Sequence, residues 1–480
     1  MNLPIIQAIV FFGISGLIAL VTYWKCRGAH PGDSANKDYF LAGGGLSWVF
    51  VAGSITLTNL STDQLVGMNG SQTALLAWWE LSAVVGLIIL CFVFLPVYYK
   101  YNCTTTTELL EKRYKNKNIR AIISVLFLLG NLFIFLPAVL YTGSLFMQNM
   151  FGLDISLYII AALFALIGAA YAIFGGLRAV AISDTFSGVL LLAMAIIVVF
   201  LALNAINFDL SGIPKERLTM IGDKDSEIPW TTLFTGMIFI QTFYWSTNQT
   251  ITQRAMASHT VQEAQKGILA AAAIRLLIVP PIIVLPGIIA FKLYGDIGDA
   301  AYGRIVGDLL PAWMSGAFAA AIAAAVLTTF NSILNSSAAL YVCDIHETYF
   351  NKEPDIKKLS LFVTLAMVIL ALLMVPMYNN PDASIIDTLQ KLYGLLSMPI
   401  LSTFIVGLLF KNVDARAMIF AVIFGVALYA FFTFIWSPTH YIHLMFVTLV
   451  SCVLMALTLN KVLFGGKILW DAPAVFSRSE

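Results

Sequence analysis

The stretch GSITLTNLSTDQLVGMNGS, residues 53–71, is rich in polar side chains although the chain around it is strongly apolar. The sequence has 480 residues, of which 60% are hydrophobic and 11% charged. Apolar runs long enough to cross a bilayer recur along it, without the two-residue alternation of barrel strands. Because backbone amides in hydrocarbon must bond within their own segment, the composition predicts an all-α polytopic membrane protein. A polar stretch inside a lipid bilayer therefore needs a specific reason.

The apolar runs predict about thirteen transmembrane helices. No low-complexity segment or soluble domain lies between them, so residues 1–480 are expected to form a single membrane domain. The predicted spans are residues 4–24, 45–70, 75–98, 118–148, 155–174, 180–205, 230–252, 264–292, 311–343, 358–378, 384–410, 416–435 and 441–460.

The basic residues indicate the orientation, because cytoplasmic loops retain Lys and Arg. With the N-terminus outside and the C-terminus in the cytoplasm, most of the 27 Lys and Arg residues fall on the inner side of the cell (inner) membrane. This orientation agrees with an odd number of spans. The basic residues left on the outer side are Lys215, Arg217, Lys224, Lys292 and Arg304.

The opening stretch is predicted to break its helix. Between residues 53 and 70 it carries many residues that are neutral or poor helix formers. A broken helix leaves backbone carbonyls unpaired at a cost of several kcal/mol per group, so a ligand, an ion or a water-filled cavity must compensate. The residues that favour the break are Ser54, Thr56, Thr58, Asn59, Ser61, Thr62 and Asp63.

A second polar stretch, QTFYWSTNQTITQR, covers residues 241–254 and repeats the pattern of the first, with STNQ in place of STDQ. Five predicted spans separate the starts of the two stretches, so the two halves have opposite topology. This is the pattern of inverted-repeat transporters, in which the first helix of each repeat is broken at mid-membrane. The alternative is a pair of polar helices that line an interior for packing.

The stretch AAAIAAAVLTTFNSILNSS, residues 319–337, supplies a partner for the free carbonyls. Its small residues allow a close helix approach, and Thr328 and Thr329 place two hydroxyls about one turn beyond the carbonyl of Ala325. Uncharged carbonyl and hydroxyl oxygens suit a monovalent cation such as Na+. A helix rich in Ala and Thr is also compatible with packing alone.

The chain resembles the sodium/solute symporter family, and within it the bacterial sodium/galactose and animal sodium/glucose cotransporter branch. The order and spacing of the motifs carry the resemblance. They are DYFLAGGGLSW (38–48), TNLSTDQLVGMNG (58–70), GGLRAVAISD (175–184), FYWSTNQTITQR (243–254), EAQKG (263–267), VLPGI (284–288) and ILNSSAALYVCDI (333–345).

The resemblance implies a five-plus-five inverted-repeat (LeuT-like) fold, with repeats at 45–205 and 230–410, an extra helix at 4–24 and two at 416–460. It also implies a sodium site near Asp184, which matches a family aspartate. The alternative for Asp184 is a carboxylate at the cytoplasmic end of a span. The sugar branch often has serine at the two threonine positions, which preserves the hydroxyls. The implied ligands are the carbonyls of Leu57, Leu60 and Ala325 and the hydroxyls of Thr328 and Thr329.

Glu80 lies well inside a predicted span, where a carboxylate costs about 2.5 to 3.5 kcal/mol and is usually functional. Sugar hydroxyls donate to carboxylates and amide oxygens. The resemblance places Tyr244 and Trp245 at the inner gate, and the bacterial prototype of the branch has asparagine at the position of Gln241. The expected sugar-binding set is Asn59, Gln64, Glu80, Gln241 and Gln390.

Arg275 is a departure, because the sugar branch has lysine there. Either it pairs with a buried acid such as Glu80, or its planar fork binds an anionic sugar. The predicted function is a sodium-coupled secondary symporter that imports a sugar by alternating access. The alternatives are a symporter of an acidic sugar or another organic anion, and a solute sensor that does not transport.

Other classes of protein are disfavoured. A net charge of +1 without a basic stripe argues against nucleic-acid binding. The histidines are scattered and form no catalytic constellation, so an enzyme is not expected. No phosphate-binding glycine loop ends in Lys-Ser or Lys-Thr, which disfavours primary ATP-driven transport. The five cysteines lie in spans or on the cytoplasmic side, and we expect free thiols. They are Cys26, Cys91, Cys103, Cys343 and Cys452.

Overall fold

The computed structural model describes residues 3–26, 35–379, 384–466 and 468–471, and these are mostly helical. The helices of the first half are α1 (Leu3–Cys26), α2 (Ala35–Phe40), α3 (Trp48–Asn59), α4 (Thr62–Gly70), α5 (Ala77–Ile89), α6 (Leu95–Lys100), α7 (Thr106–Tyr114), α8 (Lys117–Gly130), α9 (Leu136–Phe151) and α10 (Leu157–Ala205).

The second half continues this helical arrangement, with one short antiparallel pair of strands, β1 (Phe410–Lys411) and β2 (Leu469–Trp470), on its surface. Its helices are α11 (Lys215–Leu218), α12 (Gly236–Ser246), α13 (Gln249–Met256), α14 (Val261–Leu277), α15 (Val279–Tyr294), α16 (Ala301–Leu309), α17 (Ala312–Ala339), α18 (Glu347–Tyr349), α19 (Ile356–Met374), α20 (Ile385–Leu409), α21 (Ala415–Phe434) and α22 (Tyr441–Val462).

Both polar stretches contain a broken helix, as their residues predict. In the first, α3 ends at Asn59 and α4 begins at Thr62, with Ser61 in an extended conformation between them. In the second, α12 ends at Ser246 and α13 begins at Gln249. The side chain of Asn248 caps α13 by accepting a hydrogen bond from the amide of Thr250 at 3.0 Å. The second break is thus capped by a polar side chain, whereas no side chain caps the start of α4 at the first break.

Helix α17 lies at the centre of the protein, because 89% of its most apolar window is buried, against 6% for α1. It packs against α1, α3, α9 and α10. Its alanines and other small residues allow these neighbours to approach closely. The helix that carries Thr328 and Thr329 is therefore shielded from lipid.

The predicted spans 155–174 and 180–205 lie in one helix, because α10 is helical without interruption from Leu157 to Ala205. The intervening segment contains Leu177, Arg178 and Ala179, which are good helix formers. Its apolar parts are Leu157–Ala169 and Leu177–Ala205. Hydropathy marks apolar segments but does not show whether the residues between them are helical. The sequence therefore did not reveal that α10 is continuous.

Ten helices in the described residues are long and apolar enough to cross a membrane. The two broken helices are not among them because each half is too short, and Leu157–Ala169 is a shorter apolar segment. The count of thirteen spans stays a prediction. One counted span, Val261–Tyr294, is interrupted at Ile278, because Pro280 and Pro281 remove backbone donors at the start of α15.

The described cysteine thiols are free, as predicted: Cys91, Cys103, Cys343 and Cys452 are buried and unpaired. The side chain of Cys26 lies outside the described residues.

Helices α5 and α12 approach closely at Gly86. A Cβ atom there would lie 2.5 Å from the carbonyl oxygen of Gln241, which belongs to the backbone and cannot move aside. We therefore expect Gly86→Ala to destabilise the protein by about 1 to 3 kcal/mol. The measurement is the midpoint of thermal unfolding in detergent.

The matched control is Gly13→Ala in α1, where nothing lies within 4 Å of the added atom. Its unfolding midpoint should equal or slightly exceed that of the wild type, because alanine favours helix more than glycine. Equal midpoints for the two variants would contradict the close approach of α5 and α12.

Candidate functional site

A cavity lies between the two broken helices and is also bordered by α5, α9, α17 and α20. The structure brings together at its wall all but one of the predicted substrate-binding residues. Those that line the cavity are Asn59, Gln64, Glu80, Gln241, Tyr244, Trp245 and Gln390.

Arg275, the remaining residue, lies behind this wall and forms a buried ion pair with Glu80. Its side chain is 0% exposed, and that of Glu80 is 1% exposed. The guanidinium also donates to the carbonyl of Thr56 at 2.9 Å and lies 4.6 Å from the centre of the Trp245 ring. Of the two roles considered for Arg275, the structure shows pairing with Glu80.

Gln64 and Asn59 extend this ion pair into a network at the cavity wall. The amide nitrogen of Gln64 donates to the Glu80 carboxylate. The Asn59 amide is oriented here to satisfy its neighbours, so that its oxygen accepts from Arg275 at 2.7 Å and its nitrogen donates to the Tyr244 hydroxyl at 2.6 Å. Polar side chains from five helices, α3, α4, α5, α12 and α14, are thus held in one hydrogen-bonded arrangement.

Gln241 lines the cavity, but its amide is engaged within the wall. Its nitrogen donates to the carbonyl of Trp79 at 2.7 Å and to the hydroxyl of Ser82 at 2.8 Å. Its oxygen accepts from the indole of Trp245 at 3.0 Å. Because both donors are in use, only the oxygen retains capacity for a solute hydroxyl, a narrower role than expected from the sequence.

The break between α3 and α4 leaves some carbonyl oxygens without a backbone hydrogen-bond donor. The amide of Leu60 donates to Thr56 and that of Ser61 to Asn59, each at 2.9 Å. Within the described chain, no backbone hydrogen bond ends on the carbonyls of Leu57 or Leu60. These are two of the carbonyls that the sequence assigns to sodium.

Helix α17 carries the hydroxyls that the sequence analysis also assigns to sodium. The Thr328 hydroxyl donates to the carbonyl of Ala325 at 3.3 Å. The buried Thr329 hydroxyl has no hydrogen-bond partner in the described residues, and Thr329 also lines the cavity. An unpartnered buried hydroxyl beside the cavity is the kind of group that an ion or a water would satisfy.

Asp184 is fully buried and joins three helices, so it does not lie at a water-exposed end of a span. Its carboxylate accepts from Ser54 at 2.6 Å and from Thr58 at 3.5 Å. Thr328 also contacts it, and the guanidinium of Arg254 lies 3.9 Å away. The contacts with Thr58 and Thr328 place this carboxylate beside the oxygens predicted to bind sodium.

Among the cavity residues that the sequence analysis did not assign to a site are Asp63, Phe135, Asn248 and Tyr393. The Tyr393 hydroxyl accepts from the Asn248 amide at 3.2 Å, and its ring lies 5.8 Å from that of Tyr244 and 4.9 Å from that of Phe135. Tyr393 could have been found from its spacing, because it follows Gln390 by one helical turn. Lys391, the residue after Gln390, pairs with Asp387 at 2.7 Å and does not line the cavity.

The model of the sodium:solute symporter family matches residues 39–425. The chain belongs to this family. It is 35% identical over 452 residues to an uncharacterized symporter, YidK, of Escherichia coli strain K12, covering 88% of this chain and 78% of that protein. It is 30% identical over 497 residues to the sodium/glucose cotransporter of Vibrio parahaemolyticus, covering 95% of this chain and 90% of that protein.

Among solved structures, a Na+-coupled sialic acid symporter in a substrate-bound, outward-open state aligns with a TM-score of 0.81 at 20% identity. The alignment covers 97% of this chain and 99% of that one, which shows a shared fold. This symporter therefore has the predicted five-plus-five inverted-repeat core. It is a sodium-coupled membrane transporter and not an enzyme.

The buried pair in this symporter allows a stability test. Arg275→Met leaves the Glu80 carboxylate buried without its partner, which should destabilise the protein by about 3 to 5 kcal/mol. The double variant Glu80→Gln/Arg275→Met removes both charges and should recover a large part of that loss. The measurement is thermal unfolding of the purified variants in one detergent.

Arg416→Met is the control, because Arg416 forms an exposed pair with Asp414 at 3.0 Å. Such surface pairs contribute about 1 kcal/mol or less. If the double variant unfolds at a lower temperature than Arg275→Met, the two charges do not stabilise each other as described.

Proposed function

We propose that this symporter imports a neutral sugar or a related polyol together with sodium, by alternating access. The observation that carries the proposal is the composition of the cavity wall. Amide and carboxylate groups that accept from hydroxyls stand beside the rings of Trp79, Tyr244 and Tyr393. Aromatic rings stack on the apolar face of a pyranose, and polar groups select its hydroxyls.

The charge of the wall favours a neutral solute over an acidic sugar. No Lys or Arg occurs among the described residues that line the cavity. Arg275, which suggested an anionic substrate, is committed to Glu80. A substrate carboxylate would meet no free cation and would lie close to Glu80, so the acidic-sugar alternative loses its main support.

In the proposed binding mode, Gln64, Glu80 and Gln390 receive the solute hydroxyls and Tyr244 closes the site on the cytoplasmic side. Sodium binds the carbonyls of Leu57 and Leu60 and the groups that α17 contributes. Those groups are the Ala325 carbonyl and the hydroxyls of Thr328 and Thr329, with Asp184 nearby. Coordination of sodium would satisfy carbonyls that the break leaves without backbone partners.

The electrical energy of one sodium ion is enough to drive accumulation. Moving one charge down about 100 mV releases roughly 2.3 kcal/mol, which corresponds to about a fortyfold concentration ratio. The proposal also places the protein in the inner membrane with its N-terminus outside, because the basic loops would then face the cytoplasm.

The decisive experiment is uptake of labelled D-galactose, D-glucose and myo-inositol into proteoliposomes. An inward sodium gradient should drive accumulation of at least one of them, and an equal potassium gradient should not. Absence of uptake for all three, with sodium-driven uptake of an acidic sugar, would overturn the proposed substrate class.

Thr329→Ala tests the sodium site. Removing a hydroxyl that binds a cation should cost about 1.5 to 3 kcal/mol, so the half-saturating sodium concentration should rise at least about tenfold. Solute binding measured without sodium should change far less. Thr448→Ala is the control, because this buried hydroxyl in α22 donates only to the carbonyl of Leu444.

The control should leave the sodium requirement of uptake unchanged. An equal loss of sodium-dependent uptake and of sodium-independent binding in Thr329→Ala would instead indicate a packing role for this threonine.

A further inference from the structure

Two carboxylates line the cavity, and they differ in their partners. Glu80 pairs with Arg275 and accepts from Gln64, so its charge is compensated within the wall. Asp63 accepts from the hydroxyl of Ser61. No basic side chain of the described chain forms an ion pair with it. The cavity therefore carries one carboxylate whose charge no cation of the wall balances.

Asp63 is positioned so that its carboxylate lies at the wall of the cavity that the solute would occupy. It lies in the first turn of α4, where the helix dipole and the free amides stabilise a negative group. The adjacent residue, Gln64, binds Glu80 across the cavity wall. Apart from Glu80, the described side chains that line the cavity from the other elements are neutral, among them Tyr244 of α12 and Gln390 and Tyr393 of α20.

We infer that Asp63 determines specificity, because its carboxylate accepts hydroxyls of a neutral solute and repels organic anions from the cavity. The inference rests on the proposed function, since it narrows the substrate class at the same site. Two like charges about 6 Å apart at an effective dielectric constant of about 20 repel strongly enough for roughly a hundredfold loss of affinity. A uronic acid, which has a carboxylate in place of the terminal hydroxymethyl group, should thus be rejected although its ring hydroxyls fit.

The experiment compares the wild type with Asp63→Asn, which keeps the size of the side chain and removes its charge. Unlabelled D-galactose and D-galacturonate compete with the labelled neutral solute for sodium-driven uptake into proteoliposomes. In the wild type, D-galacturonate should inhibit roughly a hundredfold more weakly than D-galactose. In Asp63→Asn this ratio should fall at least tenfold.

Two further variants separate charge from structure. Asp63→Glu keeps the charge and should retain the wild-type ratio even if uptake is slower. Asp387→Asn removes an acid from the neighbouring segment of α20 that does not line the cavity, and it should also retain the ratio. An unchanged ratio in Asp63→Asn, or an equal fall in Asp387→Asn, would overturn the inference.

Sodium provides a separate readout. If Asp63→Asn raises the half-saturating sodium concentration while the inhibition ratio stays constant, the charge serves the ion and the inference is wrong. If the wild type transports no neutral solute, the proposed function fails independently. Ligand-induced thermal stabilisation with the same sugar and uronate pair then tests the charge effect, and equal stabilisation of the wild type by both would overturn it.

Discussion

The need to satisfy every backbone amide and carbonyl in hydrocarbon governs this structure. An unwound segment can exist only where protein, ion or water covers it, and the centre of the bundle is such a place. Helix α17, with 89% of its most apolar window buried, provides that cover. The break at Leu60 and Ser61 can therefore expose carbonyls to a polar interior without exposing them to lipid. Both the cavity and the oxygens assigned to sodium depend on this arrangement.

The buried ion pair connects the cavity wall to the broken helix. Arg275 binds Glu80 on one side and the carbonyl of Thr56 on the other, one residue before Leu57. Glu80 is therefore linked, through Arg275, to the backbone that precedes the proposed sodium ligands. Asn59 adds a second connection, because it contacts both Arg275 and the Tyr244 hydroxyl. These contacts give sodium and solute a common set of groups through which their binding can be coupled.

The sequence predicted the fold well where local chemistry decides the structure. Both breaks were predicted from polar residues in sequence order, although such residues do not always interrupt a helix, since Thr328, Thr329 and Asn331 lie inside the uninterrupted α17. The partner of Arg275 could only be narrowed to two possibilities, because Glu80 lies 195 positions away. The use of Gln241 within the wall and the presence of Asn248 and Tyr393 in the cavity depend on how helices pack. The uninterrupted course of α10 was missed because hydropathy marks apolar length and not the geometry of a connection.

Helix α1 lies at the periphery of the protein, so the surrounding bilayer acts on it more directly than on the buried helix α17. Only 6% of its most apolar window is buried, and it contacts the centre through Gln7, which donates to Ser315 at 2.8 Å, and through the close approach of its backbone to Gly316. Its length and tilt must therefore adjust to the thickness of the surrounding bilayer. Helix α17 is mostly buried, so hydrophobic mismatch acts first on α1 and reaches α17 and α10 through the contacts that α1 makes with both.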